Sequence, residues 1–267
     1  MKKVLSVGFM IILMVIGISG CNNKNEKVGI ERINENKKIV IGLDDSFPPM
    51  GFVNKNGELV GFDIDLAKAV GEELGIEVVF KPIEWDGIIL SLLNKEIDLI
   101  WNGLTITDER KEKIGFSKAY LANSQIVVTM KESNIKDLSD LDNKIIGAQL
   151  ESSSSYAIEE SEKINNLLKE VNYYPTNTEA FMDLQIGRID ALVVDEILGK
   201  YYIEKSDQKF EILKENLGEE LYGIGLRKED DTLKDEIDKA IVNLIKEGKA
   251  KEISEKWFGE DIILSEE

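Results

Sequence analysis

The hydrophobic positions of this chain switch period several times, and each switch marks an element. "KIVIGLD" (38–44) is a short apolar run and predicts a strand. "IDLAKAVGEELG" (64–75) sets Leu66, Val70 and Leu74 on one helical face, with Gly75 as a stop signal. "IEVVFKPI" (76–83) is rich in β-formers, "DGIILSLLNK" (86–95) predicts a helix with Asp86 as N-cap, and "IDLIWN" (97–102) predicts a strand before a helix that opens at Thr107. A second series follows, with strands at "SQIVVTM" (124–130), "NKIIGAQ" (143–149) and "RIDALVVD" (188–195). Helices are predicted over 152–170, with Ser152 or Ser153 near the start, over 179–187 ending at Gly187, and from Glu196 onward. Near the C-terminus, Leu233, Ile237, Ala240, Ile241, Leu244 and Ile245 form one stripe of a helix over 232–248. Strands alternating with helices at this spacing predict parallel sheets built from βαβ units, arranged as two α/β lobes.

The first residues follow another pattern. Lys2 and Lys3 precede an apolar run from Val4 to Ile18. That run is shorter than the roughly 20 residues a bilayer span needs, so residues 1–20 read as a signal peptide. It ends in "ISGC", which resembles the lipobox of bacterial lipoproteins, where the cysteine becomes the lipid-bearing N-terminus. Cys21 is the single cysteine of the chain, so no intrachain disulfide is available. The polar, aperiodic residues 22–37 read as a tether, making 21–37 a lipidated linker.

Composition narrows the chemistry. The 267 residues carry 33 basic and 51 acidic side chains, a net charge of −18. Such a surface repels phosphate backbones and anionic lipid, which argues against a nucleic-acid partner and leaves membrane attachment to the Cys21 anchor. There is no histidine, which excludes Ser-His-Asp and Cys-His catalysis and histidine-ligated zinc. No metal site, cofactor site or catalytic constellation is read from the sequence.

One residue is out of place. Arg110 falls in the first turn of the helix that opens at Thr107, where the helix dipole disfavours a cation. It becomes sensible if it awaits an anion.

Four segments in this order, "GLDDSFPPMGF" (42–52), "GELVGFDIDLAKAVGEELG" (57–75), "NGLTITDERKEKIGFS" (102–117) and "KEGKAKEISEKWFG" (246–259), closely resemble the extracellular solute-binding proteins of polar amino-acid ABC importers. The resemblance covers about residues 38 to 260. It implies a two-lobe, type II periplasmic-binding-protein-like α/β fold, each lobe a mostly parallel sheet flanked by helices. Residues 38–120 plus 224–262 would form lobe one, 125–218 lobe two, and 121–124 with 219–223 two hinge strands.

It also implies site roles. Arg110 would hold an α-carboxylate, for which a planar guanidinium is suited, and Asp195 the α-ammonium. Phe47 and Trp85 would wall the ligand side chain. Asn102, Gly103 and Thr105 would meet the backbone groups of the ligand. Ser152 and Ser153 match a paired Thr/Ser at a helix N-terminus, although Glu151 stands where the family usually has glycine. Asp44 matches a position that reads the ligand side chain, with Asp45 and Gln149 as weaker candidates and Glu84 and Asp86 flanking Trp85. Several acids at that end suit a donor or cation, so cystine, arginine, lysine and glutamine are the expected ligands. The resemblance further implies a permease partner, a monomer, and a location on the outer face of the bacterial cytoplasmic membrane. The alternatives are an enzyme similar to cyclohexadienyl dehydratases on the same fold, and an extracellular amino-acid sensor.

Overall fold

The computed structural model describes Ile33, residues 35–207 and residues 209–264. The signal-peptide and lipobox readings, and most of the tether, lie outside the described residues. β1 (Lys38–Leu43), β2 (Ser46–Phe47), β3 (Gly51–Val53) and β4 (Leu59–Val60) lead into α1 (Phe62–Leu74). β5 (Glu77–Pro82), α2 (Ile88–Leu93), β6 (Leu99–Thr105), α3 (Asp108–Lys113) and β7 (Gly115–Phe116) follow. The long β8 (Leu121–Met130) opens the middle of the chain. It contains β9 (Ile145–Gln149), α4 (Ser153–Glu160), β10 (Glu170–Tyr174), α5 (Asn177–Gln185), β11 (Ala191–Asp195), α6 (Glu196–Lys205) and β12 (Phe210–Ile212). β13 (Gly218–Leu226), α7 (Asp231–Lys246) and α8 (Lys249–Phe258) complete it.

The main sheet runs in the order β10-β9-β11-β8-β13-β6-β1-β5. β5, β1 and β6 are mutually parallel, as are β10, β9 and β11. These two triplets are the sheets of two lobes. Between them β8 and β13 pair antiparallel, from Gly218 opposite Gln125 to Tyr222 opposite Leu121. The chain therefore leaves the first lobe along one strand and returns along the other.

Helix α1 forms where the sequence predicts it. Leu66 and Val70 are buried, and Gly75 closes the helix at φ 64, a left-handed cap that glycine adopts without penalty. The stripe of α7 buries Leu233, Ile237, Ala240, Ile241 and Leu244, packing against α1, as α8 also does. Burying each large aliphatic side chain contributes about 1.5–3 kcal/mol.

Two sequence expectations fail locally. The helix predicted over 152–170 stops at Glu160, and Glu170–Tyr174 is instead the edge strand β10. After Glu160 the backbone turns extended at Ser161, and Ile164 and Leu167 continue in turns rather than in helix. Val171, Tyr173 and Tyr174 then supply β-forming side chains beside β9. Asp86 is not an N-cap. It sits inside a single 3-10 turn, Trp85–Gly87, and α2 begins only after Gly87.

Candidate functional site

Four site residues stand at or just past the C-terminal ends of parallel strands. Asp44 follows β1, Thr105 ends β6, Gln149 ends β9 and Asp195 ends β11. Open α/β sheets bind ligands in the crevice outside those strand ends. Three hydrogen bonds cross that crevice. Gln149 Nε2 donates to Asp44 Oδ2 (2.8 Å), Thr105 Oγ1 to Ser153 Oγ (3.0 Å), and Arg110 Nη2 to the Glu151 carbonyl (3.3 Å).

Arg110 is buried, 3% exposed. Thr107 caps α3 by accepting the Arg110 N–H at 3.1 Å, which fixes the arginine at the third residue of the helix. Its Nη1 donates to the Thr105 carbonyl (3.0 Å), and the guanidinium lies 5.6 Å from the centre of the half-buried Trp85 ring. Both acceptors are neutral. Among the described residues no carboxylate lies within ion-pair distance of this guanidinium. Burial pulls its pKa down, opposed by the charges of Glu220 and then, with Tyr156 between them, of Asp195. A buried, unpaired guanidinium is costly unless an anion joins it.

The turn that meets Arg110 contains Glu151, at φ 56. That left-handed backbone is the physical reason a glycine suits this position. The Glu151 side chain is turned away, accepting the Tyr156 hydroxyl at 2.9 Å on the exposed side. Burial, together with that bond, pushes the Tyr156 hydroxyl up to about 12.

The two serines divide their roles. Ser152 is the N-cap of α4: its Oγ accepts from the Ser155 N–H (3.2 Å) and donates to the Gln149 carbonyl (2.7 Å). Ser153 Oγ instead faces the crevice, accepting from Thr105 Oγ1 and from Gln125 Nε2 (3.1 Å).

Asp195 occupies the N-cap position of α6 but makes no capping bond. Its Oδ1 accepts from Asn123 Nδ2 (2.8 Å), Gln125 Nε2 (3.1 Å) and the Tyr222 hydroxyl (2.6 Å). Beside it, Glu220 Oε1 accepts from Asn123 Nδ2 (2.6 Å) and Gln125 Nε2 (2.9 Å), and lies 2.9 Å from Thr105 Oγ1, whose one hydrogen is shared between Glu220 and Ser153 Oγ. Burial, and then the Glu220 charge, push the Asp195 carboxyl well above its ordinary range. Asn123, Gln125, Glu220 and Tyr222 are the site residues that the sequence reading missed. The available signal was period two: Asn123 and Gln125 share a face of β8, and Glu220 and Tyr222 a face of β13.

At the other end, Asp44 Oδ1 accepts from the Ser46 N–H (2.8 Å) and Oγ (2.6 Å). Gln149 is held by the Pro175 carbonyl (2.9 Å) and by Asn177 Nδ2, which donates to its Oε1 (2.9 Å). Asn102 Oδ1 accepts the Asp44 N–H at 3.1 Å, so Asn102 supports Asp44. Gly103, at φ 60, has Phe47 and Tyr222 so close that an added Cβ would lie 3.1 Å from each ring. Behind it, the buried Asp63 accepts the Gly103 N–H (2.8 Å) and the Tyr120 hydroxyl (2.9 Å), and burial pushes its carboxyl up to about 7. Asp45 is half-buried and Glu84 and Asp86 are exposed; none of the three side chains joins this network. Among the described residues no cluster of acids or cysteine suits a metal ion, and no helix is long and apolar enough to cross a membrane.

The family model for bacterial extracellular solute-binding proteins, family 3, matches residues 39–260. The chain belongs to this family. The L-cystine-binding protein TcyJ of Escherichia coli is 32% identical over 258 residues, covering 96% of this chain and 95% of that protein. The arginine-binding extracellular protein ArtP of Bacillus subtilis is 32% identical over 229 residues, covering 83% and 86%. A crystal structure of an ABC uptake transporter substrate-binding protein from Streptococcus pneumoniae, with bound histidine, matches with a TM-score of 0.86 at 43% identity. It covers 88% of this chain and 98% of that one. These relatives are binding proteins by name.

Proposed function

We propose that this chain is the receptor of an ABC importer for a polar L-amino acid, and that it passes its ligand to a membrane permease. The observation that carries the reading is Arg110, a buried guanidinium held between two neutral carbonyls with no carboxylate partner among the described residues. A ligand α-carboxylate supplies the missing anion through paired hydrogen bonds. Thr105, Ser153 and Asp195 stand where the backbone end of the same ligand is met, Asp195 taking the ammonium. Phe47 and Trp85 flank its side chain, and Asp44 with Gln149 reads the far end. Two acceptor-bearing groups there favour a ligand with a distal donor: cystine, arginine, lysine or glutamine. The names of the relatives support cystine, arginine and glutamine, and add histidine.

In this reading 38–120 with 224–262 and 125–218 are the lobes, and 121–124 with 219–223 bend between them. The ligand touches both lobes only when they meet, so its binding energy favours closure. Cleavage before Cys21 and lipidation there would tether a monomer to the outer face of the membrane.

The test is a thermal-shift panel on protein freed of carried-over ligand by unfolding and refolding, with the twenty amino acids and cystine. Ligand at about 100 times its dissociation constant adds about 2.7 kcal/mol, or roughly 5–10 °C for a protein of this size. A shift of that size with one or a few amino acids, absent in Arg110→Ala, is expected. No shift with any of them overturns the receptor reading. Turnover of prephenate or arogenate would replace it with the dehydratase.

A further inference from the structure

We propose that Glu220 is a second carboxylate of the ammonium subsite, and that it shares with Asp195 one proton that the ligand ammonium displaces on binding. The proposal rests on the amino-acid receptor reading and names a residue and a linkage that reading does not contain. Its basis is geometric. Asp195 Oδ1 and Glu220 Oε1 accept from the same two amide nitrogens, Asn123 Nδ2 at 2.8 and 2.6 Å and Gln125 Nε2 at 3.1 and 2.9 Å. Each amide carries two hydrogens: Asn123 serves one to each acid, and Gln125 shares its two among the acids and Ser153 Oγ. The two carboxylates are thereby clamped side by side, Asp195 fully buried and Glu220 half-buried. Every donor to them is neutral: the two amides, the Thr105 hydroxyl and the Tyr222 hydroxyl.

Glu160, Lys163 and Glu219 line the opening beside Glu220, Lys163 being bound to Glu215 at 2.9 Å; the other charged and titratable groups near the pair are few. Arg110 faces it from α3, and Tyr222 lies on β13 beside Glu220. Tyr156, from α4, faces Arg110, and Glu196 is turned to Ser124 and Lys200. One cation thus balances two acids. Like charges held by the same donors in a buried site disfavour each other's ionisation, and Asp195 is the member that burial and then the Glu220 charge push up. Before binding, one carboxyl O–H and one carboxylate balance Arg110. The zwitterion brings one charge of each sign. Its carboxylate pairs with Arg110 and its ammonium with the two acids. The shared O–H bond breaks, its proton goes to water, and no electrons change hands.

Two measurements test this on the full chain. In the ligand-free protein, 13C NMR titration of the side-chain carboxyls is expected to show one member of the pair protonated well above about pH 4, the ordinary carboxylate value. Glu220→Gln is expected to bring the Asp195 titration down. Titration calorimetry at about pH 6, with L-cystine, L-arginine, L-glutamine and L-histidine in buffers of different ionisation enthalpy, is expected to count about one proton released per ligand bound. The same affinity should rise up to about tenfold per pH unit below the pair's apparent pKa. Both effects should be lost in Glu220→Gln and restored in Glu220→Asp. Both carboxyls titrating near the ordinary value, or a proton count unchanged by Glu220→Gln, overturns the proposal. Failure of every amino acid to bind would instead strike the receptor reading, and the ligand-free titration would still decide the pairing.

Discussion

At the Arg110 end of the crevice one buried cation faces two neutral carbonyls, while at the Asp195 end two acids face four neutral donors. Neither end is neutralised by an ion pair of its own, but the two have different remedies. A guanidinium stays charged at any ordinary pH, so it can be relieved only by an incoming anion. A carboxyl pair can also be relieved by taking up a proton. In the proposed reading the cation end sets how tightly a ligand is held, and the acid end how that affinity depends on pH.

The largest test of this contrast is Arg110→Ala, which should weaken amino-acid binding by about 100-fold or more, because it removes one partner of a buried charge pair. Arg110→Lys should not restore it, since an ammonium cannot make the paired bonds. Both are read by titration calorimetry.

Next in size is a stability effect at Asp63, behind Gly103. Its folded pKa of about 7 lies above the unfolded value. The native state therefore holds the extra proton between about pH 4 and 7. The contribution of this group is present in full below that window and is lost as pH rises through about 7. Denaturant midpoints measured from about pH 4 to 8 should fall over that range, and Asp63→Asn should flatten the slope.

Smaller effects separate the paired serines. Ser152→Ala should lower stability by about 1 kcal/mol through loss of the α4 cap. Ser153→Ala should act mainly on affinity, because Ser153 Oγ meets Thr105 and Gln125 in the crevice. Smallest is Glu151→Gly, which should stabilise by about 0.5–1 kcal/mol by relieving the left-handed strain. It should leave the Arg110 contact in place, since that contact is to the backbone carbonyl.

Much of the candidate site was legible because its residues sit at element boundaries. Arg110 stood out as a cation in a first helical turn, and Asp195 as an acid ending the apolar run "ALVVD". Asn123, Gln125, Glu220 and Tyr222 were not legible as a group. What joins them is the pairing of β8 with β13, across nearly a hundred residues, and no local period reports such a pairing. The same limit applies to the fold. Helices α1 and α7 carry their own sustained stripes and were predicted. The edge strand β10 lay hidden in a polar stretch and depends on β9 for its hydrogen bonds.

The two lobes also differ in when they can be finished. β9, β10 and β11, with α4 to α6, lie within one continuous stretch of chain, residues 145–205. The other lobe packs α1 against α7 and α8, so its apolar face stays uncovered until residues 231–258 have been made. During synthesis from the N-terminus the inserted lobe can therefore close first, while α1 waits for helices more than 150 residues downstream. Truncations that remove α7 and α8 should accordingly leave the α1 face of the first lobe exposed, and its aggregation would be an early sign of incomplete translation.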